Sequence, residues 1–144
     1  MRRMAVALVL TFALGITLGL TANQVLNAQQ APVKATTPLK ADLVGMEGKE
    51  VIVQVGEFAP GAASGKHYHP GAEVIFVVEG STTREMEGHP PLDLKAGEAA
   101  YIPPMQVVNT KNTSTTSPLK LVVFRIHPKD QPIVHRVTEP YFWK

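Results

Sequence analysis

GAASGKHYHPGAEVIFVVEG, residues 61–80, is the stretch whose reading decides the fold. His67 and His69 stand two apart, so on a strand both imidazoles leave one face while Tyr68 leaves the other. Pro70, Gly71 and Ala72 then make a turn-forming interruption, and residues 73–79, EVIFVVE, have the β-branched and aromatic content of a buried strand. A hairpin over residues 67–79 would return Glu73 beside the two histidines. Two neutral imidazoles and a carboxylate are a donor set accepted by a divalent transition metal, with iron, manganese, nickel or zinc all suitable. The metal site expected from these residues is therefore His67, His69 and Glu73.

On either side the chain keeps to short strands. Val51, Val53 and Val55 alternate with Ile52, Gln54 and Gly56 up to Phe58, the two-residue period of a strand. Beyond Gly80, strand-like segments fall at residues 81–87, 92–95, 98–102, 106–112 and 119–126. Between them come Gly88-His89-Pro90-Pro91, Ala96-Gly97, Pro103-Pro104 and a Ser/Thr/Asn run ending at Pro118. No segment holds a helical period over the 11 or so residues that a helix assignment needs. Many short strands punctuated by Gly and Pro predict an all-β sandwich or barrel.

At these residues the chain resembles the cupin family. The family's first motif is a glycine, five residues, HxH, three or four residues, a glutamate, six residues and a glycine, and Gly61, His67, His69, Glu73 and Gly80 match every fixed position. In the second motif Gly97, Pro103 and Asn112 match. Met105 stands where the family has glycine, and Val108 where it has its last metal-binding histidine. The resemblance spans residues 50–127 and is nearest in style to small secreted cupins that look like quercetin dioxygenase. It implies a single-domain jelly-roll barrel with the HxH strand at its mouth, and a homodimer. Parity places Val108, and with it Gln106, on an inward face. With Ile75, Val77 and Tyr101 these form the expected substrate lining, suited to a flat or apolar ligand.

Two functional readings of the barrel interior stay open, beside a third in which the barrel is degenerate and its value lies in its dimer surface. In one, His67, His69 and Glu73 hold the metal and leave positions near Val108 open to substrate or dioxygen, a dioxygenase-type oxidoreductase. In the other, the barrel binds a small molecule without chemistry, having lost a full metal site. The remaining histidines read as solvated loop residues: His89 in a Gly-Pro-Pro turn, His127 and His135 at or beyond the last strand.

Residues 1–28 read as a signal peptide, with Arg2 and Arg3 ahead of an uncharged apolar run; an uncleaved anchor over residues 4–22 is the alternative. Either predicts export, to the periplasm or beyond. Residues 29–48, with Pro32 and Pro38, read as a linker whose last part becomes ordered, residues 49–130 as the barrel, and residues 131–144 as a C-terminal tail. The 14 Lys and Arg exceed the 12 Asp and Glu only by Arg2 and Arg3, so no basic surface remains to track a phosphate backbone, and nucleic acid is excluded as a partner. The absence of cysteine restricts any metal to nitrogen and oxygen donors. Finally, Val74, Phe76 and Val78 are as apolar as Ile75 and Val77 on the opposite face. The outer face of this strand therefore needs cover, from a second subunit or from a terminal segment such as Tyr141-Phe142-Trp143.

Overall fold

The structure is a computed structural model, and it describes residues 33–137. The expected targeting segment and residues 138–144 lie outside the described residues. Ten strands make up the described chain, and no helix occurs among the described residues. They are β1 (Val33–Asp42), β2 (Lys49–Phe58), β3 (His67–Tyr68), β4 (Ala72–Glu79), β5 (Ser81–Met86), β6 (Leu92–Lys95), β7 (Ala99–Ile102), β8 (Val108–Asn112), β9 (Leu119–Pro128) and β10 (His135–Arg136). They form two antiparallel five-stranded sheets, ordered β1-β2-β9-β4-β7 and β10-β3-β8-β5-β6. The all-β architecture expected from the spacing of short strands, and the jelly-roll barrel that the resemblance implies, are therefore the fold, and most strand boundaries fall within two residues of those expected.

The path between β3 and β4 differs from the expected hairpin. The two strands belong to different sheets, so Glu73 approaches the HxH segment, with Oε2 3.6 Å from His69 Nε2, across the barrel rather than along one ribbon. Pro70 lacks the N–H that a continuing ladder would need. At Gly71 the backbone passes so close to β9 that an added Cβ would stand 2.8 Å from His127 Cα. Gly80 makes the next crossing, with φ of 80° and no room for a Cβ beside Pro118 and Leu119.

Both ends of the chain add to the barrel. The stretch expected to be a linker contains β1, exposed along its length and paired with β2. Its alternation is hidden in the sequence because the register slips between Thr36 and Leu39, around Pro38, which an edge strand tolerates. From the expected tail, β10 pairs with β3, and Val137 N donates to Lys66 O at 3.1 Å.

Inside, register sorts the residues into two zones. Along β9, Leu119, Leu121 and Val123 face the interior in phase with Arg125 and His127, and β4 opposes them with Val77, Ile75 and Glu73. The apolar half of each strand builds the core, a cluster of Phe58, Ala62, Ile75, Val77, Leu94, Leu119, Leu121 and Val123. The polar half delivers Glu73 directly opposite Arg125.

Candidate functional site

In the second sheet β8 lies between β3 and β5, and its register sets His67 against Val108 and Arg84 against Thr110. Glu73 and Arg125 come from β4 and β9 of the first sheet. His67, His69, Glu73, Arg84, Thr110 and Arg125 are all buried. All of them except Glu73 line a cavity of about 140 Å³, together with Phe58, Leu121 and Val123, and with Val33, Val134 and Arg136 also contributing.

The two histidines have defined tautomers. His67 Nδ1 lies 2.7 Å from Gly65 O, and His69 Nδ1 bonds Ile133 O. A carbonyl can only accept, so each Nδ1 carries the proton and each Nε2 presents a lone pair. Burial pushes both imidazoles below their ordinary pKa, His69 to about 4, with Glu73 opposing the shift at each; both rings are neutral near pH 7. The rings stand edge to face, 5.0 Å between centroids.

Glu73 is held by two arginines that the sequence reading did not identify. Arg84 Nη2 donates to Oε1 from across the barrel, and Arg125 Nε donates to Oε2 at 3.0 Å from the neighbouring strand. Burial alone would raise the Glu73 pKa, but Arg84 and Arg125 more than reverse this and hold the carboxyl below its usual range. Arg125 extends further: Nη1 reaches Gln54 Oε1, and Nη2 lies 3.3 Å from His69 Nε2. The guanidinium thus touches both His69 Nε2 and Glu73 Oε2, which are themselves 3.6 Å apart.

These contacts decide whether the donor set suits a metal. Both carboxylate oxygens of Glu73 are engaged by cations, the His69 lone pair faces Arg125, and Val108 offers no donor. Of the family's four ligand positions only His67 Nε2 keeps an unspent lone pair among the described residues. No group of three or more His, Asp or Glu there is arranged to hold a metal ion. A divalent ion beside Glu73 would join two guanidinium groups against one carboxylate, a buried excess of three positive charges that costs several kcal/mol per ion. The residues present do not fit the metal that the first motif implies.

The other expected positions divide. Val108 is buried opposite His67, on the face of β8 that carries Thr110. Ile75 and Val77 are fully buried in the core and do not line the cavity. Tyr101 does not line it: at 63% exposure it lies on the outer face of β7, paired with Val74. Gln106 precedes β8, where its amide donates to Glu87 O and Val107 O, away from the histidines. His127, expected to be solvated, is instead fully buried within β9, with Nε2 3.2 Å from Gln131 O. His135 stacks on Tyr68 with centroids 4.8 Å apart. Arg84 and Arg125 were missed: parity marks Arg125 as inward, in phase with Leu119, Leu121 and Val123, but says nothing of its partner, and the polar sequence of β5 carries no apolar phase that would mark Arg84.

The sequence matches the Cupin domain family over residues 54–125. No curated protein sequence matches it. Among solved structures it is similar to the DMSP lyase DddQ from Ruegeria pomeroyi DSS-3 (20% identity, TM-score 0.59, covering 72% of this chain and 51% of that one). It is similar also to a cupin domain from Bordetella pertussis Tohama I (21%, TM-score 0.56, 68% and 96%) and to an oxalate oxidase bound to the substrate analogue glycolate (22%, TM-score 0.57, 73% and 55%). This chain spans about half the length of the lyase and oxidase chains. At these identities the likeness is one of fold.

Proposed function

The chain belongs to the cupin domain family, and from that premise we propose that it is an exported barrel that binds a small organic molecule in its interior without a resident metal. The observation that carries this reading is the clamp on Glu73: Arg84 and Arg125 supply in guanidinium form the positive charge that a metal would supply, while the cavity beside them keeps an apolar wall. The chain's own residues can then bind and orient a ligand. Val123, Leu121 and Phe58 exclude water from one side of it, and the arginines and His67 offer directional polar contacts on the other.

The alternative, a metal-dependent oxidoreductase of dioxygenase type, is favoured by one observation, the histidine tautomers. Both imidazoles donate Nδ1–H to a carbonyl and turn Nε2 inward, as metal-ligating histidines do. It is outweighed because a metal would have to displace Arg125 from both His69 and Glu73.

The test is the metal content and melting temperature of the full chain, purified without an affinity tag and then incubated with manganese, iron(II), nickel or zinc. We expect substoichiometric metal and a melting temperature that neither metals nor chelator moves. One metal per chain, lost in both His67→Ala and His69→Ala, would establish the metal reading instead. Export rests on residues 1–28, and the intact mass of protein recovered from outside the cytoplasm tests it; a full-length chain soluble in the cytoplasm overturns it.

A further inference from the structure

The cavity opens between two edge strands. β1 ends the first sheet and β10 ends the second, and the exposed residues of the cavity lining all come from these edges: Val33 and Ala35 on β1, Val134 and Arg136 at β10. Arg136 stands directly opposite His67 in register, and opposed residues share a face, so its side chain starts from the inner side of the sheet. Its Nη1 donates to Ser64 O, and no Asp or Glu pairs with it among the described residues. An exposed guanidinium is ordinarily only hydrated. This one shares the opening with two exposed valines and leads into an apolar passage.

Behind the opening, Ala35, Gly56 and Leu121 follow one another in register across β1, β2 and β9, with Val33, Phe58 and Leu119 in the adjacent row. The short side chains of Ala35 and Gly56 give the passage its width, and Phe58, Leu121 and Val123 wall it. Two steps between strands, at about 4.8 Å each, give it a depth of about 10 Å. Its volume of about 140 Å³ is close to the roughly 150 Å³ that admits a six-carbon ring, which sets its occupant at about five or six carbons. Of the three arginines in the lining, Arg84 and Arg125 are committed to Glu73, Thr110, Gln54 and His69, so Arg136 is the cation that an entering molecule meets first.

We infer that the cavity takes a monocarboxylic acid with an apolar tail of about five carbons. Its carboxylate lies on the Nε and Nη2 edge of Arg136 at the opening, and its tail runs inward past Ala35 and Gly56 to Leu121 and Val123. A carboxylate matches one guanidinium edge with two parallel hydrogen bonds, whereas the third oxygen of a phosphate would find no donor there. This rests on the metal-free reading above and specifies its ligand class.

Calorimetric titration of the full chain tests it, with metal content measured on the same sample. The ligands are hexanoate, butanoate, decanoate and the uncharged hexanamide. Hexanoate should bind. Butanoate should bind about tenfold more weakly because it buries two methylenes fewer, and hexanamide at least about tenfold more weakly for the loss of charged hydrogen bonds. Decanoate should bind no tighter than hexanoate, since a carboxylate held at the opening leaves its further carbons no room inside. Arg136→Gln alters an exposed side chain; it should bind hexanoate as weakly as hexanamide and leave hexanamide binding unchanged. Unchanged hexanoate affinity in Arg136→Gln, equal binding of acid and amide, or decanoate binding tighter than hexanoate each overturns the inference. So does the absence of hexanoate binding at millimolar concentration. Hexanoate binding that needs added metal and disappears with chelator overturns the metal-free reading instead, and the panel on the unaltered chain separates the two failures without depending on any variant folding.

Discussion

Arg125 does at the scale of one residue what a metal does in the family's pattern: it touches His69 Nε2 and Glu73 Oε2 together and keeps the carboxylate ionised in a buried site. Replacing it by Met removes one of the two cations on Glu73, and truncating a buried ion pair destabilises by about 3–5 kcal/mol. Urea unfolding of Arg125→Met should show a loss near the lower figure, because Arg84 remains; a loss under about 1 kcal/mol would mean that the cluster is not formed as described. Val108→Ala should by contrast cost about 1–2 kcal/mol and leave the cluster untouched. The buried histidines add a pH dependence. His69 has a pKa of about 4 in the folded chain and 6.5 unfolded, so between these values the unfolded chain binds the proton that the folded chain refuses. Stability is complete above pH 6.5 and falls as pH drops toward 4, by roughly 3 kcal/mol for this residue, with His67 acting in the same direction. Unfolding free energies at pH 7.5 and 4.5 check this, and equal values would show that His69 is not buried neutral. The histidines and Glu73 were legible in the sequence because a motif of fixed spacing announces them. Their partners were not: Arg84 and Arg125 lie 11 and 52 residues from Glu73, and only the pairing of strands across two sheets brings them to it.

Elements were legible where alternation ran unbroken and illegible where a proline or an arch interrupted it. β2, β4 and β9 follow their two-residue period, whereas β1 hides behind Pro38 and β10 is two residues long. The path from β3 to β4 was misjudged because a Pro-Gly turn serves a hairpin and an inter-sheet crossing equally well, and local sequence carries no record of which sheet a strand joins. Two substitutions examine these crossings. Gly71→Ala should destabilise by about 1–3 kcal/mol, since its methyl would press on the β9 backbone and force the crossing outward. Met105 lies in the loop before β8 with φ of 65°, a conformation costing an L-residue about 1–2 kcal/mol, and its N–H bonds His69 O at 2.8 Å. Its side chain is half exposed, so little packing would be lost. Met105→Gly, which restores the family's residue, should therefore stabilise by about 0.5–1 kcal/mol after the added flexibility of glycine is subtracted. Thermal melts of the two variants should move in opposite directions, and a Met105→Gly melt below the parent would show that the loop does not need the left-handed conformation.

At the scale of the whole molecule, the outer face of the first sheet carries apolar rows where a lone barrel would show polar ones. Register aligns Leu39, Val53, Phe124, Val74 and Tyr101 across all five strands, and beside them Val55, Val122, Phe76 and Ala99. Leu39, Phe124, Val74, Tyr101 and Phe76 are exposed. The next row on one side is charged, with Glu57, Lys120 and Glu79 in register and Lys120 Nζ 3.4 Å from Glu57, so the apolar rows have a polar border as interfaces do. We propose that a second copy of the chain covers this face about a two-fold axis, each Phe124 row packing on its counterpart. An isologous contact needs only a self-complementary patch, and two such sheets pack face to face at about 10 Å. Light scattering of the mature chain at micromolar concentration should give the mass of a dimer. Phe124→Lys, which sets a charge at the centre of each copy's patch, should give a monomer whose far-ultraviolet spectrum still reports β-structure. Removing residues 138–144 separates the remaining alternative. If a second subunit covers the face, the truncated chain stays dimeric; a parent chain that is monomeric, and that loses stability or aggregates on truncation, would assign the cover to Tyr141, Phe142 and Trp143 and overturn the dimer.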